Sequence, residues 1–233
     1  MITDERTASF IESLCAPNTP FLEELEQRAV ADGIPVIRPS TQGVIKYILA
    51  SSRPERILEI GTAVGFSAIF MATYGSKNLH IDTIENYEKR IGPAGQNIKE
   101  AGMEDRIDLI EGDAQMQIER LAGEGKVYDM IFMDAAKAQY ISYLPVCKKL
   151  LKSGGILVAD NVLFDGDIVQ SRFAVRRRDR TIHSRMREFL RAISEDEEMV
   201  TTILPVGDGM TLSVVRTVDN EQKTGTAGPG RQP

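Results

Sequence analysis

Apolar residues in this chain change their period near residue 56. Upstream, Glu5 to Leu14 and Phe21 to Ala31 carry them at helical spacing, and Thr41 to Ala50 resumes the pattern with Val44, Ile45, Ile48 and Leu49 on one face. Pro17, Pro20, Pro35 and Pro39 punctuate these segments. Downstream, short apolar runs alternate with helical stretches. The predicted strands are Arg56–Ile60, His80–Glu85, Ile107–Glu111, Tyr128–Asp134, Gly155–Asp160, Met199–Leu204 and Thr211–Arg216. Near-continuous apolar strands separated by helices predict a parallel sheet covered on both faces. The last two are joined by Pro205-Val-Gly-Asp-Gly209, too short for a crossover helix, so they should form an antiparallel hairpin. The expected fold is α/β: one doubly wound, seven-stranded, mostly parallel sheet in a single domain over 1–218, with 1–52 as its helical N-terminal part. The stretch 219–233 is polar and Gly/Pro-rich and is expected to be disordered.

Polar residues placed where strands end carry the chemistry. Asp134 closes one apolar run, with Lys137 one turn later, and Asp160-Asn161 closes the next. Strand C-termini in open α/β sheets face the ligand crevice. Asp134, Asp160 and Asn161 would offer three hard oxygen ligands suited to Mg²⁺ or Ca²⁺, and Lys137 a proton acceptor. An Asp at a strand end is also an ordinary helix cap, and Asp-Asn an ordinary turn pair.

Earlier strand ends add a second half to this crevice. Leu58-Glu-Ile-Gly-Thr-Ala-Val-Gly-Phe-Ser67 leaves the first strand and opens a helix. Gly61 permits a sharp turn and Gly65 a close backbone approach to a ligand. The G-x-x-x-G spacing is neither the dinucleotide fingerprint nor a P-loop, which disfavours a dehydrogenase. Glu85 could take both hydroxyls of a ribose. Asp113, in Gly112-Asp113-Ala114, could meet an adenine amino group. Each acid could instead cap the helix that follows it.

Taken in order, Glu59-Ile-Gly-Thr-Ala-x-Gly-Phe-Ser67, Glu85, Gly112-Asp-Ala114, Asp134-Ala-x-Lys137-x-x-Tyr140 and Asp160-Asn161 resemble the metal-dependent S-adenosylmethionine O-methyltransferases of the catechol and caffeoyl-CoA type. The resemblance spans about 35–217 and implies a Rossmann-like fold. Within the family the chain most resembles the bacterial branch that methylates 5-hydroxyuridine at the tRNA wobble position. The resemblance implies that Glu59, Gly61, Ser67, Glu85, Asp113, Ala114 and Asp134 hold the methyl donor. It implies that Asp134, Asp160 and Asn161 hold Mg²⁺, and that Lys137 is the general base. Thr41, Gln42 and Gly43 would lie over the donor. The tryptophans that gate the small-molecule enzymes have no counterpart, since the chain has no Trp.

Charge changes the picture of the acceptor. The chain carries −6 overall, yet Arg172 to Arg191 holds eight arginines against Asp179 and Glu188, so the remainder is −12. Arginine forks suit phosphate oxygens. Arg176, Arg177, Arg178 and Arg180 are therefore candidate contacts to an anionic acceptor, either a CoA thioester or the anticodon loop of tRNA. The same segment also reads as an amphipathic helix burying Met186, Phe189, Leu190 and Ile193. A non-catalytic nucleotide- or RNA-binding module is the alternative of another class. With no apolar run near 18 residues and no basic-then-apolar leader, neither a membrane span nor export is expected. Two distant cysteines fit a reducing cytoplasm. Family resemblance and the apolar N-terminal helices suggest a homodimer using Phe10, Leu14 and Phe21.

Overall fold

The structure, a computed structural model, describes residues 4–217. The tail expected to be disordered lies outside them. Helix α1 (Glu5–Ser13) starts where the Asp4 carboxylate accepts the Arg6 and Thr7 amides, and α2 (Pro20–Ala31) starts under a Thr19 cap. Helix α3 (Pro39–Ser52) begins two residues before the expected Thr41, because Pro39 occupies its first turn, where a missing N–H costs nothing. There follow β1 (Arg56–Ile60), α4 (Phe66–Tyr74), β2 (His80–Glu85), α5 (Glu88–Glu100), β3 (Ile107–Glu111), α6 (Ala114–Gly123) and β4 (Tyr128–Met133). The chain finishes with α7 (Tyr140–Leu150), β5 (Leu151–Ala159), α8 (Arg180–Ser194), β6 (Met199–Leu204) and β7 (Met210–Val215).

The seven strands form one sheet in the order β3-β2-β1-β4-β5-β7-β6. Strands β1 to β5 pair in parallel, and β7 runs antiparallel to both β5 and β6. Strand β5 starts four residues before the expected Gly155. Leu151 already pairs with Tyr128, and the register shifts before Ile156 meets Met130. The Lys152-Ser-Gly-Gly155 stretch forms a bulge, with Gly154 in the left-handed region at φ 75.

Apolar side chains form two layers. Residues of α2, α3 and α4 cover one face of the sheet, with Phe70 and Ile45 fully buried. Residues of α6, α7 and α8 cover the other, with Tyr140 and Phe189 fully buried. Each such side chain contributes roughly 1.5–3 kcal/mol. Phe21 packs partly buried against the first layer, whereas Phe10 and Leu14 are exposed. Strand order reverses between β1 and β4. That switch point leaves a crevice beyond the strand C-termini, and the polar residues singled out in sequence meet there.

Candidate active site

The loop after β1 is built for close approach. Gly61 (φ 105) lets the chain turn, and its amide donates to the Ile84 carbonyl at 3.0 Å. A Cβ on Gly61 would lie 2.1 Å from the Asp134 carbonyl oxygen, so no other residue fits. The buried Asn97 amide donates to the Val64 carbonyl at 2.9 Å and holds the loop from behind. Beside it lies a 450 Å³ cleft lined by Gly61, Ala63, Glu85, Gly112, Ala114 and Asp134 among others.

Glu85 does more than face that cleft. Its Oε2 accepts the Ala63 amide at 2.8 Å, and its Oε1 accepts the Asn86 and Tyr87 amides at 3.0 and 2.9 Å. The carboxylate thus ties the ends of β1 and β2 together, and Oε2, which accepts a single amide, keeps a lone pair for a ligand. Asp113 behaves as a cap: its Oδ1 accepts the Met116 amide at 3.1 Å, it is exposed, and its neighbours Gly112 and Ala114 line the cleft in its place. Thr41, Gln42 and Gly43 are also away from the cleft. Gln42 is buried between the Ile37 carbonyl and Asn18, Thr41 packs near Gly207, and Gly43 faces a groove beside α1. Pro35, just upstream, reaches the cleft.

Glu59 is fully buried on β1. Its Oε2 accepts the Thr83 hydroxyl at 2.5 Å, while Oε1 has no hydrogen-bonding partner. Burial pushes its carboxyl from 4.5 up to about 8; Ser67 and Thr83 pull it down, and the charges of Asp134 and Glu85 push it further up. The native protein therefore binds more protons than the unfolded chain between those two values. Its stability should fall as pH rises through that window. Glu59→Gln removes this titration, so its melting temperature should depend less on pH between 5 and 8 than that of the parent (values inside the window set by the 4.5 and about 8 of Glu59). Asp160, raised to about 7, keeps a residual slope of the same sign. Parallel melting curves for the two proteins would refute the assignment.

The other half of the crevice gathers charge. Asp134 and Asp160 continue the ladder one step past β4 and β5: their amides donate to the Ile60 and Met133 carbonyls at 3.0 Å each. Because Met133 pairs with Ala159, the two acids are neighbours across the strands. The buried Tyr140 hydroxyl staples both strand ends, donating to the Met133 and Asp160 carbonyls at 3.2 and 3.1 Å. Asn161 takes the left-handed conformation (φ 59) that asparagine tolerates, and its amide N–H donates to Asp160 Oδ1 at 2.8 Å. Burial, then the Asp134 charge, raises Asp160 to about 7. Burial raises Asp134 too, opposed by Lys137 and reinforced by Asp208. Lys137 stands in a short 3-10 turn (Lys137–Gln139), its Nζ 4.6 Å from the centre of the Phe164 ring.

Asp208 escaped the sequence reading. It sits in the β6–β7 turn, which looked like a simple hairpin loop. The turn is locked against the crevice: the Val162 and Leu163 amides donate to the Gly209 and Asp208 carbonyls at 2.9 and 3.0 Å. Arg38 pairs with the Asp208 carboxylate at 2.6 Å. An acid between two glycines was the available signal. Converging carboxylates that hold their protons too tightly are a donor set that fits a hard divalent cation.

Residues 12–216 match the O-methyltransferase family. The chain belongs to that family. It is 33% identical over 176 residues to caffeoyl-CoA O-methyltransferase 2 of Populus trichocarpa, covering 72% of this chain and 70% of that one. It is 36% identical over 140 residues to a catechol O-methyltransferase of Niastella koreensis, covering 59% of this chain and 63%, under two thirds, of that enzyme. The solved O-methyltransferase from Bacillus cereus in complex with SAH superposes with a TM-score of 0.80 at 26% identity, covering 93% of this chain and all of that one (100%). The seven-stranded mixed sheet with its C-terminal antiparallel hairpin is thus a Rossmann-like fold whose neighbours are O-methyltransferases.

The basic segment divides into two parts. Along α8, Met186, Phe189 and Ile193 are buried as an amphipathic helix requires. Arg185 and Arg187 serve that packing: Arg185 donates to the Ala138 carbonyl and Ser142, and Arg187 to the Ile168 carbonyl. Arg176, Arg177 and Arg178 are exposed in the turn before α8, and Arg180 lies over the Phe173 ring at 5.6 Å. No helix among the described residues is long and apolar enough to cross a membrane.

Proposed function

We propose that the protein is a Mg²⁺- and S-adenosylmethionine-dependent O-methyltransferase for a hydroxyl flanked by a second oxygen, and that its acceptor is 5-hydroxyuridine in the tRNA anticodon loop. The observation that carries the chemistry is the convergence of Asp134, Asp160 and Asn161 with Lys137 beyond β4 and β5. SAH in the B. cereus structure supports the donor, and the names of the relatives support O-methyl transfer. Gly61, Glu85, Ala114 and Asp134, which line the cleft, would surround the donor together with Glu59, Ser67 and Asp113, the bare Gly61 backbone allowing it to approach. Asp134, Asp160 and Asn161 would hold the cation. When bound, the donor supplies an electrophilic methyl group and the cation lowers the pKa of the acceptor hydroxyl. Lys137 takes the proton from that hydroxyl, and the rigid strand ends hold the acceptor oxygen in line. A catechol presents two adjacent oxygens, and so does 5-hydroxyuracil through its 5-OH and 4-carbonyl.

The exposed arginines before α8 support a polyanionic acceptor. Arg177→Glu and Arg178→Glu are expected to raise the apparent KM for tRNA and leave donor affinity nearly intact. Affinity for tRNA should fall steeply with salt, as phosphate contacts release counterions. A second reading, a small catechol or caffeoyl-CoA-like acceptor, is favoured by the names of the relatives. The deciding assay offers labelled donor with hydroxyuridine-containing tRNA and with a catechol. Label in tRNA upholds the first reading; label only in the catechol overturns it and keeps the O-methyltransferase.

The same proposal includes a two-fold dimer. Exposed Ile11 and Tyr47 line an apolar 960 Å³ groove between α1, α3 and the β6–β7 hairpin, and Phe10 and Leu14 of the same N-terminal segment are also exposed. Light scattering at micromolar concentration should give twice the chain mass, and Leu14→Asp should shift it toward the monomer. A monomeric parent protein would end this part of the proposal.

A further inference from the structure

We propose that His80, Asp82 and Asp108 form a second divalent-metal site, of the Zn²⁺/Co²⁺ class, away from the crevice on the N-terminal half of β2. There it would tie the edge strand β3 to its neighbour. His80 opens β2, five residues before the crevice residue Glu85. His80 and Asp82 point to one face of the sheet, two residues apart, and Asp108 is the register partner of Asp82 on β3.

One potential ligand atom from each residue lies within 4.8 Å of the others. His80 Nε2 is 2.9 Å from Asp108 Oδ2 and 3.6 Å from Asp82 Oδ1. Zinc bonds of ~2.0–2.1 Å place tetrahedral ligand atoms ~3.3 Å apart, between those two separations. One imidazole with two carboxylates suits a borderline transition ion better than Mg²⁺, which prefers oxygen alone.

Asp82 gives an independent reason. Its side chain is 6% exposed. Its Oδ2 is held by the Tyr128 hydroxyl at 2.5 Å and by Arg56 at 3.4 Å, while Oδ1 lies 3.6 Å from His80 Nε2. Carboxylates taken this far out of water need their oxygens engaged. Asp82 also stands directly opposite a second carboxylate, an arrangement that destabilises a strand pair unless a cation offsets it. Arg56 supplies one positive charge from the β1 side, and a metal would supply the rest. Tyr128 and Arg56 then become the outer partners that orient a ligating carboxylate. Asp108 is 63% exposed, so the fourth position opens to water.

The test titrates the full chain with Co²⁺ in the presence of excess Mg²⁺, reading visible absorption. Four-coordinate Co²⁺ absorbs far more strongly than six-coordinate Co²⁺. The expected result is one strongly absorbing equivalent, abolished in His80→Gln and in Asp108→Asn. Both changes are at partly or largely exposed positions and leave the core intact. The signal should persist in Asp160→Ala, which separates it from the crevice. Tyr128→Phe keeps the ring and removes the outer hydrogen bond, so affinity should drop roughly 10–100-fold. Absence of strong absorption from the parent protein would overturn the proposal. So would equal binding by His80→Gln, or a signal lost only in Asp160→Ala.

Discussion

Asp160→Ala is expected to lower turnover by at least on the order of 10³-fold, because a bound cation supplies several kcal/mol of transition-state charge stabilisation. The residue is 2% exposed, and its carboxylate feels the charge of Asp134 across the strand ends. Donor affinity by calorimetry should change little, since the donor cleft is lined from β1, β2, β3 and Asp134 rather than from Asp160. EDTA should reproduce the loss in the parent protein and Mg²⁺ should reverse it. Full turnover in EDTA would remove the metal from the reaction and leave the raised proton affinity of Asp160 as a consequence of burial alone.

Lys137→Ala should cost roughly 10²–10⁴-fold in kcat, the usual span for losing a positioned general base. Lys137→Arg discriminates the role. A guanidinium keeps the charge but cannot give up its proton at working pH. If Lys137 accepts the hydroxyl proton, the arginine variant should be as slow as the alanine variant. Both should also gain rate as pH rises and solvent removes the proton instead. An arginine variant with parental kcat would mean the ammonium acts only as a charge beside Asp134 and Asp160. The Phe164 ring, 4.6 Å from Nζ, packs beside the Lys137 side chain without touching its proton-accepting role. Phe164→Leu should therefore move kcat far less than either Lys137 change.

Local periodicity determined most of the scaffold. Strands β1, β2, β3 and β6 span the residues that the apolar pattern predicts: β1 and β2, parallel and buried almost throughout, need apolar-rich stretches, while the edge strands β3 and β6 can carry polar residues at their exposed positions. The short β6–β7 link forced an antiparallel hairpin for a geometric reason equally local. Asp134, Lys137, Asp160 and Asn161 could be found the same way, since strand ends in such a sheet address one crevice. What lay beyond the sequence depends on contacts between distant segments. The bulge that starts β5 at Leu151 exists only because Tyr128 is there to pair with it. Asp113 and Glu85 looked alike as strand-end acids. One became an exposed cap, and the other a buried clamp on three backbone amides, according to how α6 and the Gly61 loop dock. Asp208 joins the crevice from a turn 48 residues beyond Asp160, held by backbone bonds to Val162 and Leu163. Sequence by itself determined which residues could bear charge and on which strand ends they stand. Tertiary structure alone decided which carboxylates lose their water and feel one another, because desolvation and Coulomb energy depend on packing distances that no local pattern encodes.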